Sequence, residues 1–330
     1  MQGQEVTTGS RADHGYHPSM ARVLSTAEGT HRGAFAPVDW VLFASIGAIW
    51  GSSFLLILIG LESFEPGLVT WLRIVAGAVA VWMMPASRAR LDRADRPRLF
   101  ALSVLWVAIP FTLFPLAEQH VNSATAGLLN GGVPILAAGF GSLMLRRLPT
   151  HAQIAGLVLG SGGVAAIALA AAGEGSSETV GVLMLLLAIV CYGLAVNIGA
   201  PLQQRYGSLA VMGKMLLVAS LLTAPFGLAS VPGSRSTWAS AGAIAVLGAV
   251  GTGFAFVAMG RLVGRVGATR ASFAIYLVPV VALLLGVVFR SEHVAAIGIA
   301  GIGMVIAGAV LASRAETKPN PAEDGVAVAR

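Results

Sequence analysis

Residues 39–60 read DWVLFASIGAIWGSSFLLILIG, a run whose only charge is the leading Asp39. A bilayer's hydrocarbon core, about 30 Å thick, needs roughly 20 apolar residues per helical crossing. No water is present there to satisfy peptide groups, so only helices or closed barrels span it. The run lacks the period-two alternation of a barrel strand and reads as a helix. Nine further stretches of this kind follow, at roughly 66–85, 98–119, 122–145, 151–172, 178–199, 208–231, 238–262, 268–289 and 293–313. Composition agrees: 56% of residues are hydrophobic, 11% are charged, and mean hydropathy is +0.81. The expectation is an all-α integral membrane protein with ten transmembrane helices, which leaves little chain for a soluble catalytic domain.

The charges orient this bundle. One alternating set of loops, with the tails, carries Arg88, Arg90, Arg93, Arg96, Arg98, Arg146, Arg147, Arg205, Arg261, Arg265, Arg270 and Arg314, whereas the opposite set carries Arg235 and Arg290. The positive-inside rule then puts both termini in the cytoplasm of a cell-membrane protein. It also accounts for the net charge of +6 without nucleic acid. Residues 1–37 are polar, with no apolar core of a signal peptide before Val38, and are expected to form a disordered cytoplasmic tail. Residues 314–330 read as a second tail. Cys191 is the single cysteine, which rules out an internal disulfide and a thiolate metal cluster.

Sliding the chain by 145 residues places Val133-Pro134 on Val278-Pro279, Gly141 on Gly286 and Gly163 on Gly308. Near the start of each half the offset is 142, placing Trp50-Gly51 on Tyr192-Gly193. Five helices per repeat is odd, so the second repeat, 174–313, inserts upside down relative to the first, 38–173. Arg146-Arg147 accordingly end the fourth helix on the inside, while Arg290-Ser291-Glu292 end the ninth outside. Inverted repeats place a substrate site near mid-membrane, at their interface.

Trp50-Gly51-Ser52-Ser53-Phe54, Arg73, Gly267-Ala268-Thr269-Arg270-Ala271-Ser272, Pro279, Gly286-Val287 and Glu292 together carry a family likeness. Over residues 39–313 the chain resembles the EamA family of the drug/metabolite transporter superfamily. One departure is Arg146-Arg147, where that family often has Gly-Glu. The resemblance implies a secondary transporter, often an exporter of amino acids and related metabolites.

Ionisable groups inside spans cost about 2.5–3.5 kcal/mol each on insertion scales, so they are the first site candidates. Arg73, about two turns into the second helix, and Lys214, its near counterpart in the seventh, could attract an anionic or zwitterionic solute or could snorkel to an interface. Glu118 is the one acid well inside a span; it could pair with Arg73, exchange a proton, or face water at the membrane surface. Asn130, read in the middle of the fourth helix ahead of Pro134, could contact substrate or bridge helices. Tyr276 lies one position from the strict counterpart of Asn130, which is Ile275. Tyr192 and Trp50 complete the substrate-site candidates, with Asn197 a further polar position. GxxxG pairs such as Gly47/Gly51, Gly127/Gly131 and Gly156/Gly160 allow close helix approach.

There is no GxxxxGK[ST], GxSxG or HExxH, and no paired Cys/His spacing, so no ATP motor, catalytic set, metal or cofactor is expected. The partners expected are a small-molecule substrate and the bilayer, with a proton gradient or solute exchange as driving force, in a monomer or homodimer. The alternatives are an organic-phosphate or nucleotide-sugar exchanger, which would need a more cationic cavity, and a non-transporting membrane scaffold.

Overall fold

A computed structural model describes residues 23–121, 129–171, 179–281 and 296–312. Among them the regular structure is helical, with no strand: α1 (Pro37–Leu61), α2 (Pro66–Trp82), α3 (Arg93–Ala117), α4 (Val133–Leu145), α5 (His151–Ala171), α6 (Thr179–Tyr206), α7 (Ser208–Ala229), α8 (Trp238–Val266), α9 (Ala268–Val281) and α10 (Ala296–Ala312). Five of these, α1, α3, α6, α7 and α8, are long and apolar enough to cross a membrane. Large apolar side chains such as Val41, Leu55, Val79, Leu143, Leu183, Leu221 and Ile299 point outward, as lipid contact requires.

Local chemistry sets the helix ends. Pro37 and Pro66 start α1 and α2, where a missing N–H costs nothing. The Ala36 N–H donates to Asp39 Oδ2 at 2.9 Å, and the Thr237 hydroxyl accepts from Ser240 N at 3.2 Å ahead of α8. Between α8 and α9 stands the single residue Gly267, at φ 84° and ψ 164°, a conformation open to glycine alone.

Pairing follows small residues and tryptophan hydrogen bonds. α5 runs along α10, with Gly156 against Gly308. α2 runs along α7, stitched by Trp71 Nε1 to Ser220 O and Trp82 Nε1 to Gly213 O, each 3.0 Å. Gly47 and Gly51 of α1 accept Leu277, Val278 and Val281 of α9. Gly127 of the other proposed pair lies outside the described residues.

α3 and α8 each widen into a π-helical stretch, Val104–Ala108 and Leu247–Phe254. In α3 the stretch precedes Pro110, which cannot donate to the carbonyl one turn back. In α8 the Thr252 hydroxyl donates to Leu247 O, five residues earlier, at 3.2 Å. Such widened turns recur at functional sites.

Two expectations need correction. The fourth helix does not run unbroken from 122: Gly131-Gly132 form a turn and α4 starts at Val133, because two glycines followed by Pro134 hold a helix poorly. Residues 23–36 do not form a free tail. They lie against the bundle end that bears Arg147, Arg205, Arg265 and Arg270, held by hydrogen bonds from Arg98, Gln204 and Arg270.

Candidate functional site

A cavity sits where α1, α2, α3, α6, α8, α9 and the turn ahead of α4 converge. Arg73, Asn130, Trp50 and Tyr192, four of the seven residues singled out in the sequence, line it together. Six aromatic rings line it: Trp50, Trp106, Phe111, Phe114, Tyr192 and Phe256. Phe256 meets Trp50 edge-on at 5.4 Å between centroids and Phe111 at 5.5 Å, with Trp106 at 5.8 Å. Phe114 stacks on Tyr192 at 6.0 Å.

Arg73 is 5% exposed yet well held. Its Nε donates to Thr252 Oγ1 at 3.2 Å, and its guanidinium carbon lies 4.0 Å from the Phe111 ring centroid. A desolvated cation–π contact contributes about 2 kcal/mol, comparable with the cost of placing the cation in a membrane. The Nε bond is the one hydrogen bond Arg73 makes among the described residues, so its terminal Nη donors are left for a ligand. α2 comes close enough for this because Gly77 faces Gly248 and Gly253 of α8. The same π stretch anchors Trp50, whose Nε1 donates to Gly251 O at 3.0 Å.

Two side chains carry unused acceptors here. Asn130 Oδ1 is buried without a hydrogen-bond partner among the described residues, and so are both carboxylate oxygens of Glu118. Glu118 follows α3 immediately and lies within electrostatic reach of Arg73, without a salt bridge between them. An orphaned buried acceptor costs about 1–3 kcal/mol, so Asn130 Oδ1 in the cavity lining points to a ligand's donor; Glu118 is not among the lining residues.

The remaining sequence candidates lie elsewhere. Tyr276 is fully buried between α5 and α9, its ring against Gly160 and its hydroxyl 2.8 Å from Ser161 Oγ. Ile275, the strict counterpart of Asn130, lines the cavity in its place, because a 3₁₀ turn over Phe273–Tyr276 turns Tyr276 away. Lys214 donates to the carbonyls of Ser87 and Ala89 at the arginine-bearing end and does not reach the cavity. Asn197 donates to Ala137 O and Gly193 O at 2.9 Å each, tying α6 to α4.

Sequence reading passed over Trp106, Phe111, Phe114, Phe256 and Thr252. One signal for the rings was available. The offset of 142 that takes Trp50 to Tyr192, and the offset of 145 that takes Phe111 to Phe256, Phe114 to Met259, Asn130 to Ile275 and Val133 to Val278, each map one lining residue onto another.

The profile of the EamA-like transporter family matches this chain twice, over residues 39–169 and 179–314. The chain belongs to the EamA-like transporter family. Its relatives in that family include an uncharacterized transporter of Archaeoglobus fulgidus, 23% identical over 83% of this chain and 98% of that protein. A probable terminal-alkyne amino-acid exporter of Streptantibioticus cattleyicolor is 28% identical over 83% and 93%. The uncharacterized inner membrane transporter YedA of Escherichia coli K12 is 26% identical over 83% and 90%. A solved crystal structure superposes with a TM-score of 0.68 over 83% of this chain and 96% of that one; at 18% identity the likeness concerns the fold alone. The chain is thus a multi-pass membrane protein of a transporter family, whose members imply a small-molecule substrate and a lipid bilayer as partners.

Proposed function

We propose that this protein is a secondary transporter that moves a small amphipathic metabolite, an amino acid or a close relative, by alternating access around the central cavity. The observation that carries the reading is the cavity itself: a cation with spare donors and an orphaned acceptor, Asn130 Oδ1, set among aromatic rings, with the unpartnered Glu118 carboxylate within electrostatic reach of that cation. A carboxylate fits the Nη groups of Arg73, an ammonium fits Asn130 Oδ1 with the Glu118 carboxylate in electrostatic reach of Arg73, and an apolar side chain fits the rings. The exporter name of one relative supports the same class of cargo and an outward direction. An organic-phosphate exchanger is less favoured, because Arg73 is the one cation among the lining residues.

The architecture in this reading is two inverted five-helix repeats, 38–173 and 174–313, with both termini cytoplasmic. Several features support it. The family profile matches each half. The two π stretches fall on one another at the offset of 145. Close pairs join counterparts, α2 with α7 and α5 with α10, and α3–α6 mirrors α8–α1. Bistable packing of one repeat against the other would expose the cavity to each side in turn.

A thermal-shift screen of purified protein against amino acids, nucleobases, cations and organic phosphates tests the reading. A ligand that binds only the folded state adds about 2.7 kcal/mol at a hundredfold excess over its Kd. The expected hit carries a carboxylate and an apolar group, and its shift disappears in Arg73→Ala. A hit confined to polyphosphates, or one indifferent to Arg73→Ala, would overturn the proposed site.

A further inference from the structure

Residues 23–36 cross the arginine-bearing end of the bundle as an irregular strap whose peptide groups are taken up by four helices. Thr30 N donates to Gly264 O at 3.3 Å and His31 N to Arg265 O at 2.7 Å, filling carbonyls that the last turn of α8 leaves open. Arg270 of α9 donates to the carbonyls of His31 at 3.3 Å and Gly33 at 2.9 Å. Arg98 of α3 donates to those of Val23 at 3.3 Å and Ser25 at 3.2 Å, and Gln204 of α6 to that of Glu28. Glu28 pairs with Arg147 at 2.9 Å and with Arg32. Phe35 closes the strap beneath the Arg270 guanidinium, 4.9 Å away, and joins Trp40 and Phe43 of α1.

Beneath the strap lies a second, more polar cavity. Gly141, Asn197 and Thr269 form its wall and Thr26, Glu28 and Gly29 its cover. The two cavities share α6, where Val196 lines the central one and the next residue, Asn197, lines this one. Thr26 Oγ1 reaches down to Asn197 Oδ1 at 3.4 Å.

We propose that residues 23–36 are a gate: they close the vestibule leading from the arginine-bearing side to the central cavity, and they leave before a solute enters from that side. This rests on the carrier reading above. The strap's carbonyls occupy donors of Arg98 and Arg270 and Glu28 offsets the charge of Arg147, so release opens a cationic entrance suited to a carboxylate-bearing solute. Many single hydrogen bonds to an irregular segment, with little apolar burial beyond Phe35, suit a contact that forms and parts without unfolding the bundle.

Gly29 gives the means of testing it. A Cβ there would lie 2.4 Å from the Val266 carbonyl carbon and 2.5 Å from Gly267 N, so any side chain lifts the strap while leaving the helices untouched. In full-length protein in lipid nanodiscs, with Cys191→Ser, a reporter Thr269→Cys in the vestibule is labelled with a charged maleimide. Rates are normalised to the exposed reporter Arg90→Cys. Gly29→Val and Glu28→Lys, which sets like charges against Arg147 and Arg32, are each expected to label about tenfold faster than the parent strap. A reporter at the fully buried Ile46 should stay unlabelled throughout. Should Gly29→Val fail to fold, Glu28→Lys carries the same comparison. Equal rates with and without the strap substitutions, or labelling at residue 46, would overturn the gate. Maleimide access is read whether or not a solute is known, so a failed solute screen leaves this result standing, and equal rates would leave the carrier reading standing.

Discussion

At Arg73, three interactions with different requirements meet: a hydrogen bond to Thr252, a ring face from Phe111 and an opening toward the cavity. Lysine supplies the charge but neither the planar stack nor the Nε donor. Arg73→Lys is therefore expected to lose at least about tenfold in solute affinity, a loss of about 1.4 kcal/mol, measured by the ligand concentration needed for half the thermal shift. Asn130 predicts the opposite balance. Its Oδ1 is buried without a partner, so Asn130→Leu should leave the Tm unchanged or raised while reducing the ligand-induced shift. A fall in Tm with an intact ligand shift would show that Asn130 is structural. Arg73, Asn130, Trp50 and Tyr192 were legible in the sequence because a charge, an amide or a heteroaromatic ring in an apolar run is costly or conspicuous. Phe111, Phe114 and Phe256 were not, since a phenylalanine facing lipid and one facing a cavity look alike in one sequence. Thr252 was hidden because its value lies in a carbonyl five residues back and a guanidinium on another helix.

At the scale of elements, most helix positions were readable within a few residues, because hydrophobic length fixes them, while α6 runs on to Tyr206 past the expected end near 199 and α3 begins at Arg93 ahead of 98. The exceptions are local. Gly131-Gly132 break the fourth span and leave Asn130 at a discontinuity, and the 3₁₀ turn over Phe273–Tyr276 gives the cavity Ile275 instead of Tyr276. The π stretch of α8 works as a scaffold, holding Trp50 through Gly251 O and Arg73 through Thr252. Thr252→Val leaves a buried charged donor without its acceptor, at a cost of about 1–3 kcal/mol, so the Tm should fall and solute affinity with it. The α1–α9 contact predicts a purely structural effect. At Gly51 a Cβ would lie 2.6 Å from Val281 Cβ and 2.9 Å from Val278 O. Gly51→Val should lower the Tm, by roughly 1–3 kcal/mol of overpacking, and an unchanged Tm would contradict the close approach.

The strap shows what a single sequence conceals at the scale of the whole molecule. Residues 23–36 have the polar, Gly- and Thr-containing composition of a free tail, yet their carbonyls find Arg98, Gln204 and Arg270 from three distant parts of the chain. The charge asymmetry gives a direct topological prediction. In intact cells Arg235→Cys should react with an impermeant maleimide from outside, whereas Arg90→Cys should react only after permeabilisation; both side chains are exposed. The same reactivity at both positions would break the proposed orientation. The central claim, a carrier whose solute sits against Arg73, is tested most directly by counterflow of the stabilising solute into proteoliposomes of the parent protein and of Arg73→Ala. The prediction is saturable flux in the parent and its loss in Arg73→Ala with the fold retained, as judged by a monodisperse sample and helical circular dichroism. Flux that survives Arg73→Ala undiminished, or a parent protein that binds the solute but never moves it, would contradict that claim.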